Sequence, residues 1–182
     1  MKLSNILVAV FLIFTFGGEL RAQEAEVKNY KWSIDFSPLI FLSRVYDINV
    51  GYKFTDNDEV SLGLCYQNIK YDFGETHAPC IEISYRRFIW KGLNIEYKLF
   101  PAYNSFYENT EKKYYNGFEL WNEFRPGYII DFSVADLPCY VNLGGIVGFG
   151  LIQGNKPQSF KDYYKNEEKI FVTPYMSLGI KF

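Results

Sequence analysis

The chain is 182 residues long, with 19 basic and 21 acidic side chains, a formal net charge of −2 and 20% aromatic residues. That charge gives no electrostatic case for binding nucleic acid, and the length is that of one domain. Past the amino-terminal stretch no apolar run approaches the ~20 residues of a membrane-crossing helix, so the 17 Phe and 16 Tyr must be carried by something other than a helical span.

At the amino end, Lys2 gives a short basic start and Ile6 to Phe16 is almost wholly apolar. Gly17 and Gly18 break the run, and Ala22 offers a small residue before Gln23. This layout predicts a cleavable secretory signal over 1–22, because the apolar run is too short to cross a bilayer as a helix. Lys2, Arg21 and Glu19 leave with the signal, so residues 23–182 carry 17 basic and 20 acidic side chains. No Cys lies near the cut, which argues against a lipid anchor.

From there the pattern has a period of two, the period of strands. Tyr30, Trp32, Ile34 and Phe36 alternate with polar residues and predict the first strand. Tyr46, Ile48, Val50, Tyr52 and Phe54 predict the second, closed by the polar turn Thr55 to Glu59. Val60, Leu62, Leu64 and Tyr66 mark a third that runs toward Gly74, and Ile81, Ile83 and Tyr85 a fourth that ends near Lys91-Gly92. Leu93, Ile95, Tyr97 and Leu99 give the fifth. A long sixth carries Phe118, Leu120, Phe124, Tyr128, Ile130 and Phe132. Val141, Leu143, Val147, Phe149 and Leu151 give the seventh, and Ile170 to Phe182 the eighth. Turns near 55–59, 89–92 and 133–138 read as short; those near 74–79, 104–116 and 153–168 read as longer and more polar. Residues 37–45 are apolar with a poor turn signal, and read equally as a loop or as one bent strand.

An amphipathic helix would need apolar residues three and four apart, so the helical alternative fails on period. A soluble lipocalin-type barrel would turn the apolar parity inward. An eight-stranded barrel has little more room than its own side chains fill, so the aromatic parity is expected to face outward. The fold class expected is all-β: an eight-stranded antiparallel up-and-down transmembrane barrel. Aromatic belts and strands of ~9–11 residues belong to the same geometry.

The last strand sharpens this. Met176, Leu178, Ile180 and Phe182 alternate with Ser177, Gly179 and Lys181, and the sequence ends on the aromatic ring. Together with the signal and the alternation, this strand resembles the family of small bacterial outer-membrane β-barrel proteins, of OmpA- and OmpX-like eight-stranded architecture. The resemblance covers 23–182 and rests on architecture, without a diagnostic catalytic motif. It implies a cleaved signal at 1–22, a short periplasmic segment at 23–29, and an outer-membrane barrel over 30–182. It also implies insertion by the barrel-assembly machinery, with Met176, Leu178, Gly179, Ile180 and Phe182 as the assembly signal. The partners expected are outer-membrane lipid, that machinery during insertion, and an extracellular ligand or protein at the loops; no nucleic acid, no cofactor, no metal and a monomeric state are expected.

With the aromatic parity outward, the lumen receives Lys31, Asp35, Asp47, Lys53, Glu82, Arg86, Glu96, Lys98, Glu119, Glu123, Arg125, Asp131 and Lys181, six basic groups against seven acidic ones. Buried charges pair or are neutralised, so a polar plug is favoured over a charged pore. Phe100, Trp121, Tyr140, Phe171 and Tyr175 share the inward parity and narrow the space further. Gly144, Gly145, Gly148 and Gly150 lie within a strand, which excludes a phosphate loop followed by a helix.

Some small outer-membrane barrels act on lipid acyl chains with a His, a Ser and a carboxylate near the outer rim. The single His77 falls in the expected loop 74–79 with Glu75 and Asp72 nearby, but neither Ser84 nor Ser105 can be placed beside it from sequence. Catalytic residues are therefore expected to be none. Cys65 is expected opposite a residue near Arg86, with no bridge to Cys80 or Cys139. In the outer loops, Phe106, Tyr107, Tyr114, Tyr163 and Tyr164 sit among charges and are expected to offer contacts to a partner.

Overall fold

The computed structural model describes residues 30–166 and 170–182. The expected signal and the segment 23–29 lie outside the described residues. Eight strands run in chain order around one closed ring: β1 (Trp32–Phe36), β2 (Val45–Lys53), β3 (Asp58–Tyr71), β4 (Gly74–Trp90), β5 (Leu93–Glu108), β6 (Lys113–Val134), β7 (Leu137–Ile152) and β8 (Phe171–Lys181). Each pairs antiparallel with its neighbour, and β8 returns to β1 through Ser33–Lys181, Ile34–Ile180, Asp35–Gly179 and Phe36–Leu178. This is the all-β, eight-stranded, up-and-down barrel that the alternation predicts.

The polarity of the ring follows the same parity. Ile48, Leu62, Leu64, Ile83, Ile95 and Ile130 point outward, with Leu64 66% exposed. Asn49, Glu82, Asn94, Glu96, Lys98 and Arg125 point inward, with Glu82 fully buried. A lipocalin arrangement would show the reverse. Paired aromatic rings lie on the outside, Trp32 on Tyr52 and Tyr97 on Phe124, with centroids 4.7 and 4.9 Å apart.

The wall is uneven in height. β1 has 5 residues, whereas β4, β5, β6 and β7 have 17, 16, 22 and 16. The end that holds Trp32 and Phe182, called here the terminal end, carries three short turns at 54–57, 91–92 and 135–136. Ala135 and Asp136 both take positive φ there, 48° and 66°, as in a type I′ hairpin turn. At the opposite, distal end the hairpins β3–β4 and β5–β6 run on well past the rim set by β1 and β8.

That overrun corrects the loop lengths. Residues 74–79 are strand, not loop: Tyr71 pairs with Gly74, leaving Asp72-Phe73 as a two-residue turn. Residues 104–116 are also mostly strand, since pairing continues to Glu108–Lys113 and only 109–112 is loop. One face of these segments, with Thr76, Ala78, Asn104, Phe106 and Glu108, is buried, and polar residues on both faces are what gave the loop signal. Residues 37–44 are a loop with a 3₁₀ turn at Ile40–Ser43. Ser37-Pro38 ends β1, because Pro has no N–H for the ladder.

The distal segment after β7 holds the one α-helix among the described residues. Gly154 turns the chain with φ +64°, where a Cβ would meet the Phe118 carbonyl at 2.7 Å. The chain then crosses back over the barrel mouth as α1 (Gln158–Asn166). The tall β4–β6 wall gives this helix something to lean on.

Candidate functional site

The interior is divided into two zones along the barrel axis. The half toward the terminal end holds a connected set of charges. Arg86 donates to Glu59 at 2.7 Å and to Glu96 at 3.1 Å. Lys98 donates to Glu82 at 2.7 Å and to the Asn49 carbonyl oxygen at 3.3 Å. The Asn49 amide in turn donates to Asp35 at 3.3 Å, and the Tyr140 hydroxyl donates to the other Asp35 oxygen at 2.6 Å. Asp47 accepts from the Ser37 backbone N–H at 2.8 Å and hydroxyl at 2.6 Å. This chain of contacts spans the lumen from β1 and β2 across to β5.

Arg125 forms the floor between zones. It lies 2.6 Å from Glu123, with its guanidinium over the rings of Tyr175 and Phe100 at 4.7 and 5.6 Å. Above it the lumen becomes aromatic and aliphatic: Phe100, Phe106 and Ile146 are almost wholly buried. Glu119, one of the expected lumen charges, sits up here. It accepts from Lys156 at 2.6 Å, Asn104 at 2.8 Å and the Trp121 indole N–H at 3.1 Å. Burial pushes the Lys156 ammonium below its ordinary value, against the pull of Glu119 beside it.

The thirteen expected lumen charges therefore do not make one ladder. Asp35, Asp47, Glu82, Arg86, Glu96 and Lys98 form the network, and Arg125 and Glu123 a pair above it. Glu119 belongs to the roof. Asp131 and Lys181 pair at 2.6 Å at the terminal mouth, where Lys53 lies over the Phe88 ring at 5.2 Å and Lys31 is exposed. These four help line a vestibule of about 680 Å³. Two partners were missed from sequence. Glu59 was assigned to a turn, although it keeps the inward parity of Ser61 and Gly63; Lys156 lies in a segment with no period to read.

The mouth is closed by α1. Phe160 is 3% exposed and drops against Phe106, Tyr71 and Phe73 at centroid distances of 5.5, 5.6 and 6.4 Å. The Lys156 ammonium stands over the Phe160 ring at 4.4 Å. Two of the five expected loop contacts, Phe106 and Tyr164, are changed by this. Phe106 is fully buried beneath the helix, on an inward strand position. Tyr164 faces Phe160 and Trp121, and its hydroxyl accepts the Gly150 N–H at 3.3 Å. Tyr163 rests its ring on Tyr71 and Phe73 at 5.6 and 5.5 Å. Tyr107 and Tyr114 face each other across the β5–β6 tip with centroids 4.9 Å apart, and Tyr114 is exposed. With Tyr163, which stays 38% exposed, they remain presented to the surroundings. Next to them the Tyr115 hydroxyl donates to Glu111.

His77 is on β4, not in a loop, and points outward near the distal rim. Its Nε2 lies 3.3 Å from Glu75 and its Nδ1 3.0 Å from the Tyr66 hydroxyl. Ser105 is directly opposite on β5. Both ring nitrogens are thus engaged by Tyr66 and Glu75, and a nucleophile–base pair needs one of them.

Cys65 and Cys80 are a correction. They face each other across β3 and β4 with Cα atoms 4.9 Å apart and form a disulfide inside the lumen. The expectation of Cys65 opposite Arg86 placed the hairpin turn at 74–78. The real turn at Asp72-Phe73 moves the register, and Arg86 falls opposite Glu59 instead. Cys139 is a free thiol on β7, paired with Phe132 and Ile180.

In the last strand, Leu178 and Ile180 point outward beside Phe36 and Ile34, and Met176 shares their parity opposite Leu143. Phe182 is exposed, and its backbone N–H and C=O pair with Trp32 at 2.9 and 3.0 Å. Gly179 points inward, where a Cβ would meet the Tyr140 ring at 2.5 Å. Its lack of a side chain is what admits that ring to Asp35.

Eight antiparallel strands with an apolar exterior, a filled interior and a helix across one mouth define an all-β up-and-down barrel. A solved structure it resembles is the N-terminal β-barrel domain of Pseudomonas aeruginosa OprF, with a TM-score of 0.47 and 13% identity over 84% of this chain and 98% of that chain. No protein family and no curated protein matches the chain.

Proposed function

We propose that this protein is an integral outer-membrane barrel with a plugged interior, acting without chemistry of its own in envelope integrity, adhesion or surface interaction. The observation that carries this reading is the continuous outward face of Ile, Leu, Val, Tyr, Phe and Trp side chains on every strand. A soluble protein rarely exposes a contiguous apolar patch beyond a few hundred Å², whereas a membrane barrel needs an apolar band ~25 Å tall. The charge network and the α1 roof support a plug. The engagement of both His77 nitrogens supports a non-enzymatic role, and the paired Tyr107 and Tyr114 at the tallest hairpin favour a partner there.

Cell fractionation tests the placement. The protein is expected in the outer membrane, with a folded form that migrates faster on a gel before boiling than after. Recovery of the whole mature protein in the soluble fraction would overturn the reading.

Residues 176–182 are proposed as the assembly signal. Phe182 closes the ladder to Trp32 and presents its ring outward. Its deletion is expected to lower the inserted fraction several-fold while leaving the stability of the molecules that do insert nearly unchanged. Equal insertion of both forms at low expression would remove Phe182 from that role.

A further inference from the structure

The ring has a lateral slit. β1 stops at Phe36, and above Leu178 the edge of β8 from Phe171 to Ser177 pairs only with β7. The facing edge of β2, from Val45 to Ile48, pairs only with β3. Only the loop 37–44 stands between the two edges. Pro174, which has no N–H to leave unpaired, lies within the open stretch of β8.

Behind the slit is a cavity of about 350 Å³, with Phe160 and Lys156 above and Phe100 and Arg125 below. It reaches the outside at Ile40 and at Pro174, an outward-facing residue that also lines it. Ile69, Ile146 and Phe171 give it hydrocarbon walls. Two ion pairs hold most of its charge, Lys156 with Glu119 and Arg125 with Glu123, each at 2.6 Å, while Thr76 Oγ1, Asn104 Oδ1 and Arg125 Nη1 are buried without a hydrogen-bond partner. The volume is that of about a dozen waters at ~30 Å³ each, and those three atoms can anchor only a few of them.

The height of the slit decides the occupant. From Trp32 to Ser37 the strand climbs about 16 Å at ~3.3 Å per residue, or roughly 12 Å along the axis at a tilt near 40°. The apolar band is ~25 Å tall, so the slit opens near its middle, onto hydrocarbon.

Resting on the membrane reading above, we propose that the cavity takes the acyl chain of a bilayer lipid, admitted sideways between β8 and the 37–44 loop. The occupied interior then excludes water from the Glu119–Lys156 and Arg125–Glu123 pairs. The apolar character of Leu39 and Ile40, unusual for a loop, fits this position.

Trp121 lines the cavity and is a built-in reporter. With Trp32 and Trp90 replaced by Phe, the protein is placed in phosphatidylcholine vesicles whose chains carry bromine at mid-chain, which quenches indole fluorescence on contact. A companion with Leu64→Trp as the sole Trp reports the outer face at mid-height. Trp121 is expected to lose at least half as much fluorescence as the companion. Filling the cavity by Thr173→Phe, or by Val45→Phe should the first fail to fold, is expected to cut that loss at least twofold. Quenching of the companion with none of Trp121, or quenching of Trp121 that neither filling variant changes, overturns the cavity proposal and leaves the membrane placement standing. A companion left unquenched overturns the membrane placement, and the proposal with it.

Discussion

Replacing Arg86 by Met is expected to destabilise the folded barrel by about 3–5 kcal/mol. The guanidinium is 3% exposed and bridges Glu59 and Glu96, which lie on different strands. Without it two carboxylates stay buried with one cation to share, because Lys98 is 3.9 Å from Glu96 and already bonded to Glu82 at 2.7 Å. An uncompensated buried charge is the costly part, more than the loss of the bonds themselves. The triple variant Arg86→Met, Glu59→Gln, Glu96→Gln should therefore recover most of the loss, since it removes the stranded charges with their partner. The control is Lys70→Met at the exposed rim, where the pair with Glu75 spans 3.9 Å and a change within ~1 kcal/mol is expected. Urea unfolding in detergent micelles measures all three. A midpoint for Arg86→Met equal to that of the parent would show that the network does not hold the barrel together.

The second large effect belongs to the lumen disulfide. Cys65 and Cys80 are 15 residues apart, and closing a loop of that size in the unfolded chain is worth about 3 kcal/mol in the chain-entropy account. The double variant Cys65→Ala, Cys80→Ala is expected to lose roughly that amount, plus a little for the contacts the two sulfurs make with Ala78, Phe100 and Ala102. The measurement is the denaturant midpoint of protein refolded with and without reductant. Reductant should move the parent to the position of the double variant and leave the variant where it was. A parent indifferent to reductant after full unfolding would show that the bond contributes nothing to stability.

The barrel itself was legible because its signal is repeated. Tyr46 to Phe54 or Leu93 to Leu99 each give an unbroken alternation, and a ring of eight such faces permits only one to be outside. The ends of the strands were not legible, because there the buried inward face mixes Thr76, Asn104 and Glu108 with Ala78 and Phe106 and the alternation of polarity fades. That is why Thr76, His77 and Asn104 read as loop, although each is paired in a ladder. Placing that one turn at 74–78 rather than at 72–73 shifted the register by about six residues, and displaced Cys65 from Cys80 and Arg86 from Glu59. The expected site suffered from the same cause. Inward parity alone identified Lys98, Glu96 and Arg86 as interior residues, but partners come from register, and register depends on the turn. Phe106 and Phe160 carried no sequence mark of burial, since their cover is a helix that crosses the mouth from β7. The apolar loop 37–44 was the reverse case: its anomaly was visible, while its cause, a slit in the wall above a short β1, needed the whole ring.

The inward direction of the Cys65–Cys80 bond fixes an order of events. Both residues are at most 7% exposed and their sulfurs lie inside a closed ring, where neither an oxidising enzyme nor a bulky thiol has access. Enzyme-catalysed oxidation must therefore precede closure, while the β3–β4 hairpin is still open to its surroundings. A chain that closes before it is oxidised keeps two thiols sealed from catalysed repair. The redox state of the finished barrel is in this sense a record of its history, written once during assembly and then locked.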